Sequence, residues 1–143
     1  NLLGTVERLT VHLYGSLGAT GRGHGSDKAI VLGFEGATPE TVDVDGIQQR
    51  MESLCESARL HILSTHEINF DLRENLVFEK RESLPGHPNG MRFNAYDKNG
   101  SEIFSPEFEA CREISQQHNI PLHQVFQAAT TAFASNDDTP AQQ

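Results

Sequence analysis

Residues Val6 to Tyr14 alternate without a break and then run straight into a series of glycines. Leu9, Val11 and Leu13 fall on one face and Thr10, His12 and Tyr14 on the other, which is the period of a half-buried strand. A strand of this kind packs one apolar face on a core, and the glycine run that follows it is the most informative stretch of the chain. His12 lies on the mixed face and reads as a surface or edge residue. The run that follows is Tyr14-Gly-Ser-Leu-Gly-Ala-Thr-Gly-Arg-Gly-His24-Gly-Ser-Asp-Lys28, with glycines at 18, 21, 23 and 25 and His24 between the last two. Glycine lets the backbone take positive φ and approach a ligand with no Cβ in the way. Lys28 to Phe34 reads as a short apolar helix, with Ser26 or Asp27 as its N-cap and Gly36 at its end. A helix starting there aims unpaired N–H groups and a positive dipole end at the loop, which suits a phosphate or carboxylate. His24 then stands within reach of that anion as a candidate base, since imidazole is the side chain that exchanges protons near neutral pH.

Further along, Ile47, Met51, Leu54, Cys55 and Ala58 form the stripe of an amphipathic helix, with Asp45 as its expected cap. Short strands are expected at Leu60–Leu63, Glu67–Phe70, Asn75–Glu79, Met91–Asp97 and Glu102–Phe104. Asp97-Lys-Asn-Gly100 signals a hairpin between the last two. Met91, Phe93 and Ala95 alternate with Arg92, Asn94 and Tyr96, as a sheet covered on one face requires. After Pro106 the chain reads as two helices, the first ending at His118-Asn119 and the second opening at Pro121. The order of elements predicts an α+β fold, with a mixed or antiparallel sheet of about four to five strands and helices packed on one face. Residues 1–135 are expected to form a single domain and residues 136–143 a disordered tail.

At 143 residues the chain suits one domain with a real core. A net charge of -9 argues against a nucleic-acid surface. No apolar run reaches the ~20 residues of a membrane span. The first residue is Asn1 and no signal-peptide pattern follows, so either a fragment or a chain whose first residues are simply absent is expected, in a cytoplasmic protein. Cys55 and Cys111 lie far apart in sequence and could form one disulfide, but two incidental thiols, each mainly a small buried apolar group, are the expected reading, and no zinc spacing is present. Two cysteines do not suffice for an iron–sulfur cluster, and no metal site is expected in this chain.

Three readings compete for the glycine run. Gly21-x-Gly23-x-x-Ser26 misses the dinucleotide fingerprint at its last position, the helix after it is short, and no further β-α-β units follow. No Gly-Lys-Ser/Thr closes it as a P-loop. A plain surface loop with a chance histidine is the third. A second constellation, Leu84-Pro-Gly-His87-Pro-Asn-Gly90-Met-Arg92, packs two prolines and two glycines around His87 and Asn89. It reads as a stiff turn launching the Met91 strand, or as a loop in which Asn89 offers its amide to a polar substrate or orients His24.

Taken together, the stretches Val11 to Ala29, Pro39 to Asp43, Arg81 to Pro85 and His87 to Phe93 resemble the β domain of the bacterial iron–sulfur-dependent L-serine dehydratases, or L-serine ammonia-lyases. Phe108 to Phe126 is similar, less specifically, to the helical segment leading to that family's catalytic domain. The resemblance covers most of residues 6–104. It implies deamination of L-serine to pyruvate and ammonia, with a 4Fe-4S cluster on a separate α domain acting as Lewis acid on the substrate hydroxyl. In that setting His24, from the family's Gly-His-Gly motif, is the base at the α-proton. The amides of Gly25, Ser26 and Asp27 hold the carboxylate, while Asp27 or Lys28 tunes His24 or binds substrate and His87 and Asn89 contribute to the same site. The expected partners are L-serine, the α domain and a second copy paired through the sheet. A Ser-Ser-Ser-His-Thr motif expected before the first strand and a Tyr-Tyr-Ser-Val-Gly-Gly-Gly-Phe-like strand expected after Phe104 are not in this sequence. The chain by itself is therefore expected to be inactive. A non-catalytic domain sensing serine or a related anion is the alternative, because a similar fold serves effector binding in certain D-3-phosphoglycerate dehydrogenases.

Overall fold

A computed structural model describes residues 2–86 and 88–136. The chain divides into two compact units, the first running to Ile103 and the second from Phe104 on. The fold is α+β, as expected.

In the first unit the alternating segment forms β1 (Arg8–Tyr14), and it is the centre of a four-stranded sheet. β4 (Leu76–Glu79) pairs with it in parallel, Val11 opposite Leu76, and β5 (Met91–Tyr96) pairs antiparallel on the other side, Val11 opposite Phe93. β6 (Glu102–Ile103) adds the outer edge through a hairpin. The Asp97 carboxylate closes that hairpin by accepting from the N–H groups of Asn99 and Ser101 at 2.8 and 2.9 Å. Two further strands, β2 (Arg59–Ile62) and β3 (His66–Asn69), pair with each other as a separate ribbon. The expected strands exist, but they divide between a four-stranded and a two-stranded sheet.

Leu9, Val11 and Leu13 are buried in a core shared with Val31 of α2 (Ser26–Phe34) and with Met51 and Leu54 of α3 (Ile47–Ser57). Leu60, Ile68, Phe70 and Leu76 complete it. Fully burying a Val, Leu or Phe side chain stabilises by roughly 1.5–3 kcal/mol each, so this layer is the main stabilising element of the unit. Two helices were not expected. α1 (Gly15–Thr20) occupies the first half of the glycine run, and α4 (Leu72–Asn75) is a single turn before β4. Asp71 caps α4 by accepting from Arg73 N–H at 2.8 Å, while the buried Asn75 side chain accepts from Asp71 N–H at 2.8 Å.

The caps also differ from expectation. Gly25, in the left-handed region at φ 79°, caps α2 in place of Ser26 or Asp27, and Gly46 precedes α3 in place of Asp45. At the far end of α2, the tip of the β2–β3 hairpin supplies what the last turn lacks: Leu63 N–H donates to Phe34 C=O at 2.7 Å and Ser64 Oγ to Glu35 C=O at 3.0 Å. Arg50 of α3 ties the same corner together. Its Nε donates to both Glu35 carboxylate oxygens at 3.0 and 2.9 Å and its Nη2 to Arg59 C=O at 3.0 Å. Hydrogen bonding to Glu35 raises the Arg50 pKa above its ordinary value.

Both cysteines are free thiols. Cys111 is buried as expected, whereas Cys55 is exposed on α3, because the helix turns the stripe's last positions past the core. In the second unit α5 (Phe108–His118) and α6 (Leu122–Asn136) form a helical hairpin, with Asn119 in the left-handed conformation at φ 50° ending the first helix. The Phe104 and Phe133 rings stack with centroids 4.3 Å apart. Asn136 thus closes a helix, and the rest of the predicted tail lies outside the described residues. No helix among the described residues is long and apolar enough to cross a membrane.

Candidate functional site

The two motif runs meet at the C-terminal end of β1. Tyr14 N–H donates to Gly90 C=O at 2.9 Å and Gly15 N–H to Glu82 C=O at 2.7 Å. Gly15 stands at φ +62°, and a Cβ there would lie 1.6 Å from the Pro88 carbonyl oxygen. Only glycine fits that position. Ser16 Oγ then donates to Asn89 Oδ1, joining the first turn of α1 to the second loop. Gly18 serves a similar purpose one turn later, where a Cβ would come within 2.4 Å of Glu79 C=O and 2.5 Å of Leu13 C=O. α1 can therefore lie directly on the ends of β1 and β4.

From α1 the chain passes through interlocked turns into α2. Gly21 N–H bonds to Leu17 C=O at 2.8 Å, His24 N–H to Gly21 C=O at 3.1 Å, and Ser26 N–H to Gly21 C=O at 2.9 Å. Gly25 N–H bonds to Arg22 C=O at 3.4 Å. Two of the amides expected to clamp an anion, those of Gly25 and Ser26, are thus engaged within the turn. Among the described residues the N–H groups of Asp27 and Lys28 have no backbone acceptor, and these are the donors the start of α2 offers. The His24 and Lys28 side chains are exposed, with Ser26 and Asp27 partly covered. Asp27 has a solvent-shielded Oδ1 without a hydrogen-bond partner among the described residues, and it lines a cavity with Arg22, Arg73 and Phe78. The Arg22 guanidinium sits 4.9 Å from the centre of the Phe78 ring.

His24, Gly25, Ser26, Asp27 and Lys28 therefore form one turn at the start of α2, and Asn89 is fixed at the opposite end of α1. Six helical residues span about 9 Å. His87 lies outside the described residues. His12, expected at the surface or an edge, is half-buried on an interior strand, with Nδ1 2.9 Å from Glu79 Oε1 and its ring stacked near Tyr14. Ser16 and Arg22 were not singled out from sequence. A lone serine or arginine between glycines carries no signal until the second loop and β4 are brought beside it.

Residues 1–111 match the serine dehydratase beta chain family. The chain belongs to that family. It is 46% identical over 107 residues to an L-serine dehydratase of Streptomyces coelicolor, a match covering 75% of this chain and 24% of that protein. It is 39% identical over 108 residues to L-serine dehydratase TdcG of Escherichia coli K12, covering 75% and 23%. A third relative, L-serine dehydratase 1 of the same strain, is 42% identical over 103 residues, covering 71% and 22%. The chain thus aligns with about a quarter of the length of these curated relatives. As a serine dehydratase beta chain, it has its glycine run and its Pro–Gly–His–Pro loop in the matched segment.

Proposed function

We propose that this beta chain supplies the base and the carboxylate site for deamination of L-serine to pyruvate and ammonia, in an assembly with an α portion that completes the active site. The observation that carries this reading is the stitching of Tyr14, Gly15 and Ser16 to Glu82, Pro88, Asn89 and Gly90, which brings two sequence-distant motifs together at the end of β1. Elimination requires a base at the α-proton and a fixed carboxylate. His24, exposed beside the start of α2, is the base. The free N–H groups of Asp27 and Lys28 receive the carboxylate, where the helix dipole favours negative charge. Gly25 contributes the left-handed turn that brings them to the surface, Ser26 its hydroxyl, and Lys28 a neighbouring positive charge. Asn89 with His87 binds the substrate from the second loop.

Departure of the β-hydroxyl falls to groups outside this chain. A four-iron cluster normally takes four thiolates or close to it, whereas the chain has two cysteines, one exposed and one buried. Among the described residues no three His, Cys, Asp or Glu side chains are grouped to hold a metal. These residues do not fit such a cluster, and its ligands are assigned to the α portion.

Anaerobic pyruvate release from L-serine by the assembled enzyme tests the proposal, with the chain alone as the inactive control. His24→Ala is expected to lower kcat about 10²–10⁴-fold, the usual contribution of a general base, with serine affinity nearly kept. Turnover that survives His24→Ala while response to an effector is lost would make this a sensing domain instead.

A further inference from the structure

We propose that Ser16 is a positioning residue, whose hydroxyl holds the Asn89 carboxamide with its oxygen on Ser16 and its NH₂ group toward the substrate. The inference rests on the serine dehydratase reading above and adds a residue to it. A carboxamide is nearly symmetric in shape, so an unheld asparagine offers a donor or an acceptor with little preference. Ser16 Oγ donates to Asn89 Oδ1. With the oxygen engaged, the two N–H donors of Nδ2 are left on the other side of the group.

Both ends of this contact are fixed by backbone. Ser16 is the second residue of α1, and its own C=O accepts from Thr20 Oγ1 at 2.8 Å. Asn89 lies between Pro88, pressed against Gly15, and Gly90, whose C=O accepts from Tyr14 N–H at 2.9 Å. Gly90 is itself buried, and a Cβ there would meet Leu84 Cδ1 at 2.5 Å. The serine hydroxyl therefore has a stationary target, and a donor aimed away from Ser16 suits an acceptor oxygen of the substrate where an oxygen in its place would repel it. This orientation selects a hydrogen-bond acceptor on the substrate at the second loop.

Steady-state kinetics with L-serine on the assembled enzyme carrying this chain test the assignment. Ser16→Ala is expected to raise KM three- to tenfold, the scale of one neutral hydrogen bond, with kcat changed less than twofold. Ser16→Thr keeps the hydroxyl and should restore KM. Asn89→Asp keeps the acceptor for Ser16 but replaces the outward donor with a charge, and it should raise KM further than Ser16→Ala. In an Asn89→Ala background, Ser16→Ala should add nothing more. An unchanged KM in Ser16→Ala, or full additivity with Asn89→Ala, overturns the positioning role while leaving the functional reading intact. Absence of pyruvate release by the unmodified enzyme overturns that reading, and the role of Ser16 falls with it.

Discussion

Glycine is the residue type on which this site is built, and its positions differ in what they tolerate. At Gly15 a side chain would strike the Pro88 carbonyl, and the backbone is in the left-handed region as well. At Gly23 the nearest atom to a would-be Cβ is Thr20 C=O at 3.5 Å, an ordinary contact. Gly15→Ala should accordingly lower stability by roughly 2–5 kcal/mol, since overpacking adds to left-handed strain, whereas Gly23→Ala should stay within about 1 kcal/mol of the parent. Chemical denaturation of the two variants side by side measures the contrast. A sequence displays both glycines alike. It marks where backbone comes close to something, but what it approaches is settled by β4 and the second loop, whose residues are more than a helix and two strands away. For the same reason Ser26 and Asp27 look like natural caps of α2, yet Gly25 already closes the preceding turn and takes that position.

Among the elements, periodic ones were legible and those held by distant partners were not. β1 and α3 follow from their alternation and stripe, because each buries one regular face. α1 does not, since two glycines in six residues disfavour a helix in isolation; it forms because those glycines let it rest on strand ends. The hairpin tip at Leu63 and Ser64 also lacks the Asn-Gly signal of such turns, though both residues have positive φ, at 49° and 57°. Its backbone is held by the last turn of α2. The Arg50–Glu35 pair fastens this corner with a two-pronged donor, largely shielded from solvent. Arg50→Ala should cost about 1–3 kcal/mol in thermal or urea unfolding, the range for hydrogen bonds to charged groups. Arg50→Lys should recover only part of it, because an ammonium cannot reach both carboxylate oxygens and Arg59 C=O together. As the folded pKa of Arg50 is raised, the stability it adds is present below the ordinary guanidinium value and fades only as pH climbs through the raised one. Mildly alkaline buffer should leave the parent's melting point unaffected by this group.

In the molecule as a whole, the core of the first unit is drawn from residues up to Ile103. A truncation ending at Ile103 should therefore fold cooperatively by itself, with circular dichroism and a sharp melting transition as the check. A broad, non-cooperative melt would show that this core does not suffice for an independently stable unit. The family and the α+β class were readable from long motifs and element order, and the glycine run marked the region of the proposed site. The division of strands into two sheets was not readable, because pairing partners are chosen by packing rather than by local pattern. Met91 and Phe93 show the same limit. Their alternation in β5 puts them on the core side, yet they remain 48% and 51% exposed, lining a groove of about 400 Å³ beside Ile30 and Phe34.

The central position of β1 has a bearing on how the chain acquires its shape. Its two neighbours come from Leu76–Glu79 and Met91–Tyr96, so neither edge is satisfied by nearby residues. Closing such long loops before any reward arrives slows the search. During synthesis this strand leaves the ribosome well ahead of both its neighbours, with sticky, unpaired edges. Its safe passage through that interval is a matter for timing and chaperones.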